Sequence, residues 1–223
     1  PKSPSLYEGD RICDGRSFTT RLVVAIQDGG AIFSMSASFQ KPEDGPNHQL
    51  PMPDASPPES VPSTDDRIAR AASETGHPIF RFLERLERPI EVRDLDPIDP
   101  RSPRRRVGPH KVWFRARGEL PEDALLHQCV LTYASDYTLL DASLGEHGLT
   151  WFDPRLQATS LDHVIWFHRP FRADRWLLYV TESPSTAGAR GMNFGRIYTQ
   201  DGVLVASVAQ ENLMRLVEDS APR

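Results

Sequence analysis

Seven of the 22 residues from Lys41 to Pro62 are proline. Each proline removes a backbone donor and fixes φ, so this stretch reads as a linker and no sheet can run through it. It divides the chain. On its N-terminal side, Ser17 to Gln27 has the β-branched and alternating character of a strand. Asp28-Gly29-Gly30 then supplies residues that tolerate positive φ, and Ala31 to Phe39 returns as a second strand. Two strands alone are rarely stable in water, so something must cover this hairpin.

Beyond the linker the period changes. Ser63 or Thr64 can cap a short helix whose first turn carries Asp65 and Asp66, placed against the positive end of its dipole. Gly76-His77-Pro78 ends it. Ile79 to Leu86 reads as a second helical piece and Ile90 to Arg93 as a strand. From Arg101 to Gly118 the chain holds Arg101, Arg104, Arg105, Arg106, Lys111, Arg115 and Arg117 with no acidic residue. This is either a solvated loop leading into a strand or a phosphate site, since arginine forks match phosphate oxygens. Arg104, Arg105 and Arg106 are the candidates for the second reading. Lys111 to Arg117 alternates as a strand, with Val112, Phe114 and Ala116 on one face.

Leu120-Pro121-Glu122-Asp123 opens the central helix, with proline in the first turn and acids at the positive dipole end. At helical spacing its apolar face runs through Leu126, Cys129/Val130, Tyr133, Tyr137 and Leu140. Asp136 falls on or beside that face, and a buried carboxylate needs hydrogen-bond partners. Gly145 and Gly148 close the segment. Four stretches then read as strands: Leu161 to Phe171, Arg175 to Glu182, Ala189 to Gln200 and Val203 to Met214, with Asp201-Gly202 as a second tight hairpin. Gln200-Asp201-Gly202 echoes Gln27-Asp28-Gly29 at an offset of 173 residues. That points either to two duplicated units or to chance likeness of two hairpins. A helix followed by antiparallel strands predicts an α+β arrangement, a sheet wrapped on the helix.

Composition narrows the function. The 223 residues are 39% hydrophobic, enough for a real core, and the net charge of −5 argues against a nucleic-acid partner. Cys13 and Cys129 sit in unlike contexts, with Cys129 on the expected buried helix face, so a disulfide framework is not expected and a reducing cytoplasm is. No run is long enough for a membrane span, Pro1-Lys2-Ser3-Pro4 has no signal-peptide pattern, and Ser220 to Arg223 matches no common targeting tripeptide. There is no Gly-x-Ser-x-Gly elbow, no metal-binding Cys or His spacing and no glycine-rich phosphate loop. His163 and His168 lie on opposite faces of an extended strand, which makes them poor joint ligands and suits separate hydrogen-bonding roles.

Three residues stand out for chemistry. Asp136 is either a helix-end carboxylate turned to solvent or a buried group with partners. The even positions of the last strand are Leu204, Ala206, Val208, Gln210, Asn212 and Met214, so Gln210 puts an amide on a mostly apolar face, unless it faces water near a strand end. Ser160 precedes the run Asp162-His163-Val164-Ile165-Trp166-Phe167-His168-Arg169-Pro170-Phe171, where a serine alone is simply a cap or turn residue.

That run resembles a signature of the acyl-CoA thioesterase II family. So do Tyr133-Ala134-Ser135-Asp136, Thr199 to Ser207 and Gln210-Glu211, while Asp14 to Phe18 and Ala37 to Gln40 resemble the family's first-half hairpin. The likeness covers nearly the whole chain in order. It implies a double hotdog, two antiparallel sheets each wrapped on a long helix. It also implies a partial N-terminal hotdog over 1–40, a linker with short helices over 41–105 and a complete C-terminal hotdog over 106–223. Members have further structure before the point where this chain starts, so the first hotdog is expected to lack its central helix.

Carried over, the family's Asp, Thr or Ser, and Gln fall on Asp136, Ser160 and Gln210. Such a trio can hold one water in line with a thioester carbonyl, the carboxylate drawing off its proton. The implied substrate is acyl-CoA, cleaved to fatty acid and CoA with no cofactor and no metal. A homo-oligomer is expected, because exposed sheet edges favour assembly. The alternative is a non-catalytic acyl-CoA-binding or interaction protein of the same fold. A hotdog hydratase would need a histidine five residues after its aspartate, where this chain has Asp141.

Overall fold

A computed structural model describes residues 3–217; the terminal Ser220 to Arg223 lies outside the described residues. The chain forms two compact units, Pro1–His48 and Gln49–Arg223.

The first unit is a three-stranded antiparallel sheet of β1 (Leu6–Asp14), β2 (Phe18–Gln27) and β3 (Gly30–Gln40), in that order. The turn between β2 and β3 has two residues, Asp28 at φ 51° and Gly29 at φ 80°, as the sequence predicts for a left-handed pair. The third strand, β1, was not legible: Leu6-Tyr7-Glu8-Gly9-Asp10-Arg11 does not keep a period of two, and every residue of the strand is exposed.

The second unit begins inside the proline-rich stretch. Its elements are helix α1 (Thr64–Thr75), α2 (Pro78–Glu84), β4 (Ile90–Asp94), β5 (His110–Ala116), α3 (Ala124–Ser135), α4 (Asp141–Glu146), β6 (Leu156–Ser160), β7 (Val164–Phe167), β8 (Leu177–Ala187), β9 (Arg190–Thr199) and β10 (Leu204–Leu216). The α1 boundary is set by its caps. Ser63 Oγ accepts from Asp66 N while the Asp66 carboxylate accepts from Ser63 N, and Gly76 ends the helix at φ 64°. β4 pairs with β5, so residues 90–94 belong to this unit's sheet rather than to a linker.

Seven antiparallel strands form that sheet in the order β4-β5-β8-β9-β10-β6, with β7 also on β10. Its concave face closes over α3 through Phe114, Leu131, Ala134, Leu177, Tyr179, Ile197 and Val208, all buried. The helix presents a different side than its spacing suggests. The buried positions of α3 are His127, Leu131, Ala134 and Ser135, while Cys129 and Tyr133 are exposed. The helix is apolar around most of its circumference, so period alone does not choose a face. The small Ala134 and Ser135 let the sheet approach closely, and they settle it.

The opposite face of the sheet carries Trp113, Trp176, Leu178, Val180, Tyr198 and Leu204, and the proline-rich strap lays Met52 and Ala55 across them. Trp113 Nε1 donates to Ser56 O at 2.8 Å. The Gln49 amide brackets the β9–β10 hairpin, donating to Gly202 O at 2.8 Å and accepting from Leu204 N at 3.1 Å. That hairpin spans Gln200–Val203, with Gly202 at φ 89°, longer than a two-residue turn.

β10 is the strand that shapes the site. One flank pairs with β9. The other takes two partners in succession, β7 along Ala206–Ala209 and β6 along Asn212–Leu216. Between them, opposite Gln210 and Glu211, the neighbouring chain leaves the sheet at Ser160 and rejoins at Val164. The break is pinned at both backbone groups of Glu211. Its O accepts from Leu161 N at 2.9 Å, and its N donates to Asp162 Oδ1 at 2.8 Å. Buried ladder groups that lose a strand partner must find another, and these two do.

Candidate active site

Asp136 is the C-cap of α3, Ser160 the last residue of β6, and Gln210 the β10 residue facing the break. The fold brings all three together. Ser160 Oγ donates to Asp136 Oδ1 at 2.9 Å, and Gln210 Nε2 donates to Ser160 Oγ at 2.9 Å. The second Nε2 proton goes to Asn212 Oδ1 at 2.6 Å. Gln210 is fully buried at 0% exposure, so it does not face water near a strand end. Asp136 is the reverse case: as a helix-end residue it is exposed, and so is Ser160. The site is therefore an open carboxylate and hydroxyl backed by a buried amide.

Behind the trio lies a polar layer that spacing did not reveal. His163, in the break, contacts Gln210 Oε1 through Nδ1 and Ser135 Oγ through Nε2, the latter at 2.8 Å. Ser135 is buried, and its carbonyl accepts from the Tyr179 hydroxyl at 3.0 Å. Burial, and then the charge of Asp136, push the Tyr179 hydroxyl well above its ordinary range, so it stays a donor. Gly195 gives the Tyr179 ring its room. A Cβ there would sit 2.3 Å from ring atom Cε2. The signal for His163 was its membership of the Asp-His-x-x-Trp-Phe-His-Arg-Pro-Phe run. A strand reading leaves it unconnected to Gln210, because the break that turns it inward leaves no mark in hydropathy. His168 lies apart, bonded to Ser207 Oγ at 2.8 Å.

The arginine run divides. Arg106 is buried and committed to backbone: its NH1 donates to Asp141 O and its NH2 to Asp96 O, each at 3.1 Å. It ties β5's approach to α4, and its guanidinium is not available to a phosphate. Arg104 pairs with Asp96 and Arg105 with Glu146, both with exposed side chains. The expectation of a basic stretch without acids overlooked these carboxylates, which lie outside the stretch in sequence and beside it in space. Among the described residues, no group of three or more His, Cys, Asp or Glu side chains could hold a metal ion, and no helix is long and apolar enough to cross a membrane.

An antiparallel sheet curled on one central helix is the hotdog architecture. A solved protein with a hot dog fold from Alicyclobacillus acidocaldarius matches 95% of this chain and 73% of its own with a TM-score of 0.69, at 17% identity. An acyl-CoA thioesterase II from Mycobacterium marinum is 40% identical, with a TM-score of 0.74 over 97% of this chain and 75% of that one. Human acyl-coenzyme A thioesterase 8 is 40% identical over 224 residues, 97% of this chain and 69% of the relative. The family model described as acyl-CoA thioesterase matches residues 83–213. The fold is that of a hotdog thioester hydrolase. The chain belongs to the acyl-CoA thioesterase family.

Proposed function

We propose that the chain hydrolyses fatty acyl-CoA to free fatty acid and CoA at Asp136, Ser160 and Gln210. The observation that carries this reading is the continuous hydrogen-bonded line from the Asp136 carboxylate through Ser160 Oγ to the Gln210 amide. Asp136 keeps an oxygen free at the surface, where a water can bond to it. Ser160, already donating to Asp136 and accepting from Gln210, has one lone pair left to orient that water. Gln210 has both amide protons committed, so it acts by holding the Ser160 hydroxyl in place.

In the reaction, the water oxygen bonds to the thioester carbonyl carbon as Asp136 takes its proton. The tetrahedral adduct collapses, the C–S bond breaks, and the proton passes to the CoA sulfur. The products are a fatty acid and a free thiol, with no acyl-enzyme. Positioned general-base catalysis of this kind supplies about 10²–10⁴-fold. Arg104 and Arg105, whose guanidiniums are exposed, are the candidates for the CoA phosphates. We read the chain as a cytoplasmic homo-oligomer. The support is the apolar side of α3 left exposed at Leu125 and Tyr133, and two cysteines free of disulfide.

The test is a hydrolysis panel over acyl-CoA chain lengths with wild type and Asp136→Asn. A loss of about 10²-fold or more in kcat is expected. Near-wild-type turnover by Asp136→Asn would sink the reading, and tight acyl-CoA binding without turnover by wild type would favour a binding protein instead.

A further inference from the structure

His163 touches Gln210 and has no role in the chemistry above, and its hydrogen bonds fix a direction. With Asp136 ionised, its oxygens only accept, so the single proton of Ser160 points to Asp136. Ser160 Oγ can then only accept from Gln210, which must turn its NH₂ toward Ser160. The amide oxygen is left facing His163, and an oxygen there needs a donor. Nδ1 of His163 therefore carries the proton. The other nitrogen, Nε2, lies 2.8 Å from Ser135 Oγ, whose one proton also reaches Thr132 O at 2.8 Å, so the direction is set at Nδ1 and not at Nε2. Were Nδ1 the acceptor, Gln210 would have to turn its oxygen to Ser160, and Ser160 would lose either its donor or its bond to Asp136.

The ring is held for this task. Leu161 and Asp162 fasten the break to Glu211 on β10, with contacts of 2.9 and 2.8 Å. Ser135 is fixed from the far side by the Tyr179 hydroxyl on its carbonyl at 3.0 Å. We propose that His163 is a positioning residue of the hydrolase, whose Nδ1–H locks the Gln210 amide in the one orientation that supports Ser160 and Asp136. The proposal rests on the catalytic reading of the trio. It deepens that reading by adding a fourth member with a defined donor, Nδ1–H.

Two variants separate the ring's nitrogens. The side-chain NH₂ of asparagine falls where Nδ1 is, and that of glutamine where Nε2 is. We expect His163→Asn to keep kcat for decanoyl-CoA within about fivefold, and His163→Gln and His163→Leu to lose about 10²-fold in kcat with KM little changed. Asp136→Asn is run alongside. In wild type, ¹⁵N-detected imidazole correlations should show Nδ1 protonated.

The proposal is overturned if asparagine is as poor as leucine, or if glutamine turns over like wild type while Asp136→Asn is dead. It is also overturned if the nitrogen spectrum shows Nδ1 without a proton. An active Asp136→Asn variant would instead defeat the catalytic reading, and the tautomer measurement would still decide the state of His163. Should the leucine variant fail to fold, the asparagine–glutamine comparison carries the test.

Discussion

Ser160 Oγ and Asp136 Oδ1, 2.9 Å apart, join the end of a strand to the cap of a helix 24 residues earlier in the chain. A hydroxyl at this point is what the geometry requires, whatever carbon bears it. Ser160→Ala is expected to lower kcat by about 10²-fold, the usual cost of losing one oriented partner at the reacting centre. Ser160→Thr keeps the hydroxyl, suits a strand end and restricts χ1. It should hold kcat within a few-fold of wild type. Steady-state kinetics on one acyl-CoA, with both variants side by side, checks the pair.

Gln210 is buried with three polar neighbours that depend on it: Ser160, Asn212 and His163. Gln210→Leu matches its volume and removes every bond. Leaving buried groups unsatisfied costs about 1–3 kcal/mol, so both the urea midpoint and kcat should fall. A variant as stable as wild type would show that the amide is not anchored as described.

Gly195→Ala probes the Tyr179 pocket. The added carbon would fall within 2.3 Å of the ring, which has the buried sheet behind it. Overpacking of this kind costs about 1–3 kcal/mol. The shift would also draw the hydroxyl away from Ser135 O. Equilibrium denaturation should show the stability loss, and kcat should fall with it.

Asp174 predicts a pH dependence. The Arg172 guanidinium holds its carboxyl well below the usual range; burial opposes this and the Leu120 N–H assists. A carboxylate whose folded value is depressed contributes stability above its unfolded value, about 3.9, and loses it as pH falls through the folded value. Wild-type stability should therefore drop steeply below about pH 4. Asp174→Asn should be less stable at pH 7 and should lose less on acidification, read from thermal melts across pH 2–7.

The sequence showed the hairpins, the α1 caps and the alternation of β10, because each is a local matter of φ, side-chain oxygens or a period of two. Gln210 was visible for the same reason, an amide on an apolar stripe. What was not visible is what depends on two distant segments meeting. The side that α3 presents was decided by the sheet's approach to Ala134 and Ser135, so Cys129 and Tyr133 ended outside. The role of Arg106 was decided by carbonyls of Asp96 and Asp141. The break between β6 and β7 places His163 against Gln210, 47 residues away, and only the family likeness of the surrounding run hinted at it.

The sheet order has a consequence for how the chain is made. β10 is synthesised after every other strand of the described residues, yet it lies inside the sheet, with β9 on one flank and β6 and β7 on the other. Until it emerges from the ribosome, β6 and β7 have no strand to pair with, and Trp166 and Phe167 ride on an open edge. Such edges are where nascent chains stick to one another. Chaperone occupancy should peak in that window and collapse once residues 204–216 are available. On the proposed mechanism hydrolytic competence arrives with the same strand, since Gln210 is on it, so in a cell-free synthesis the onset of activity is expected to mark completion of the sheet.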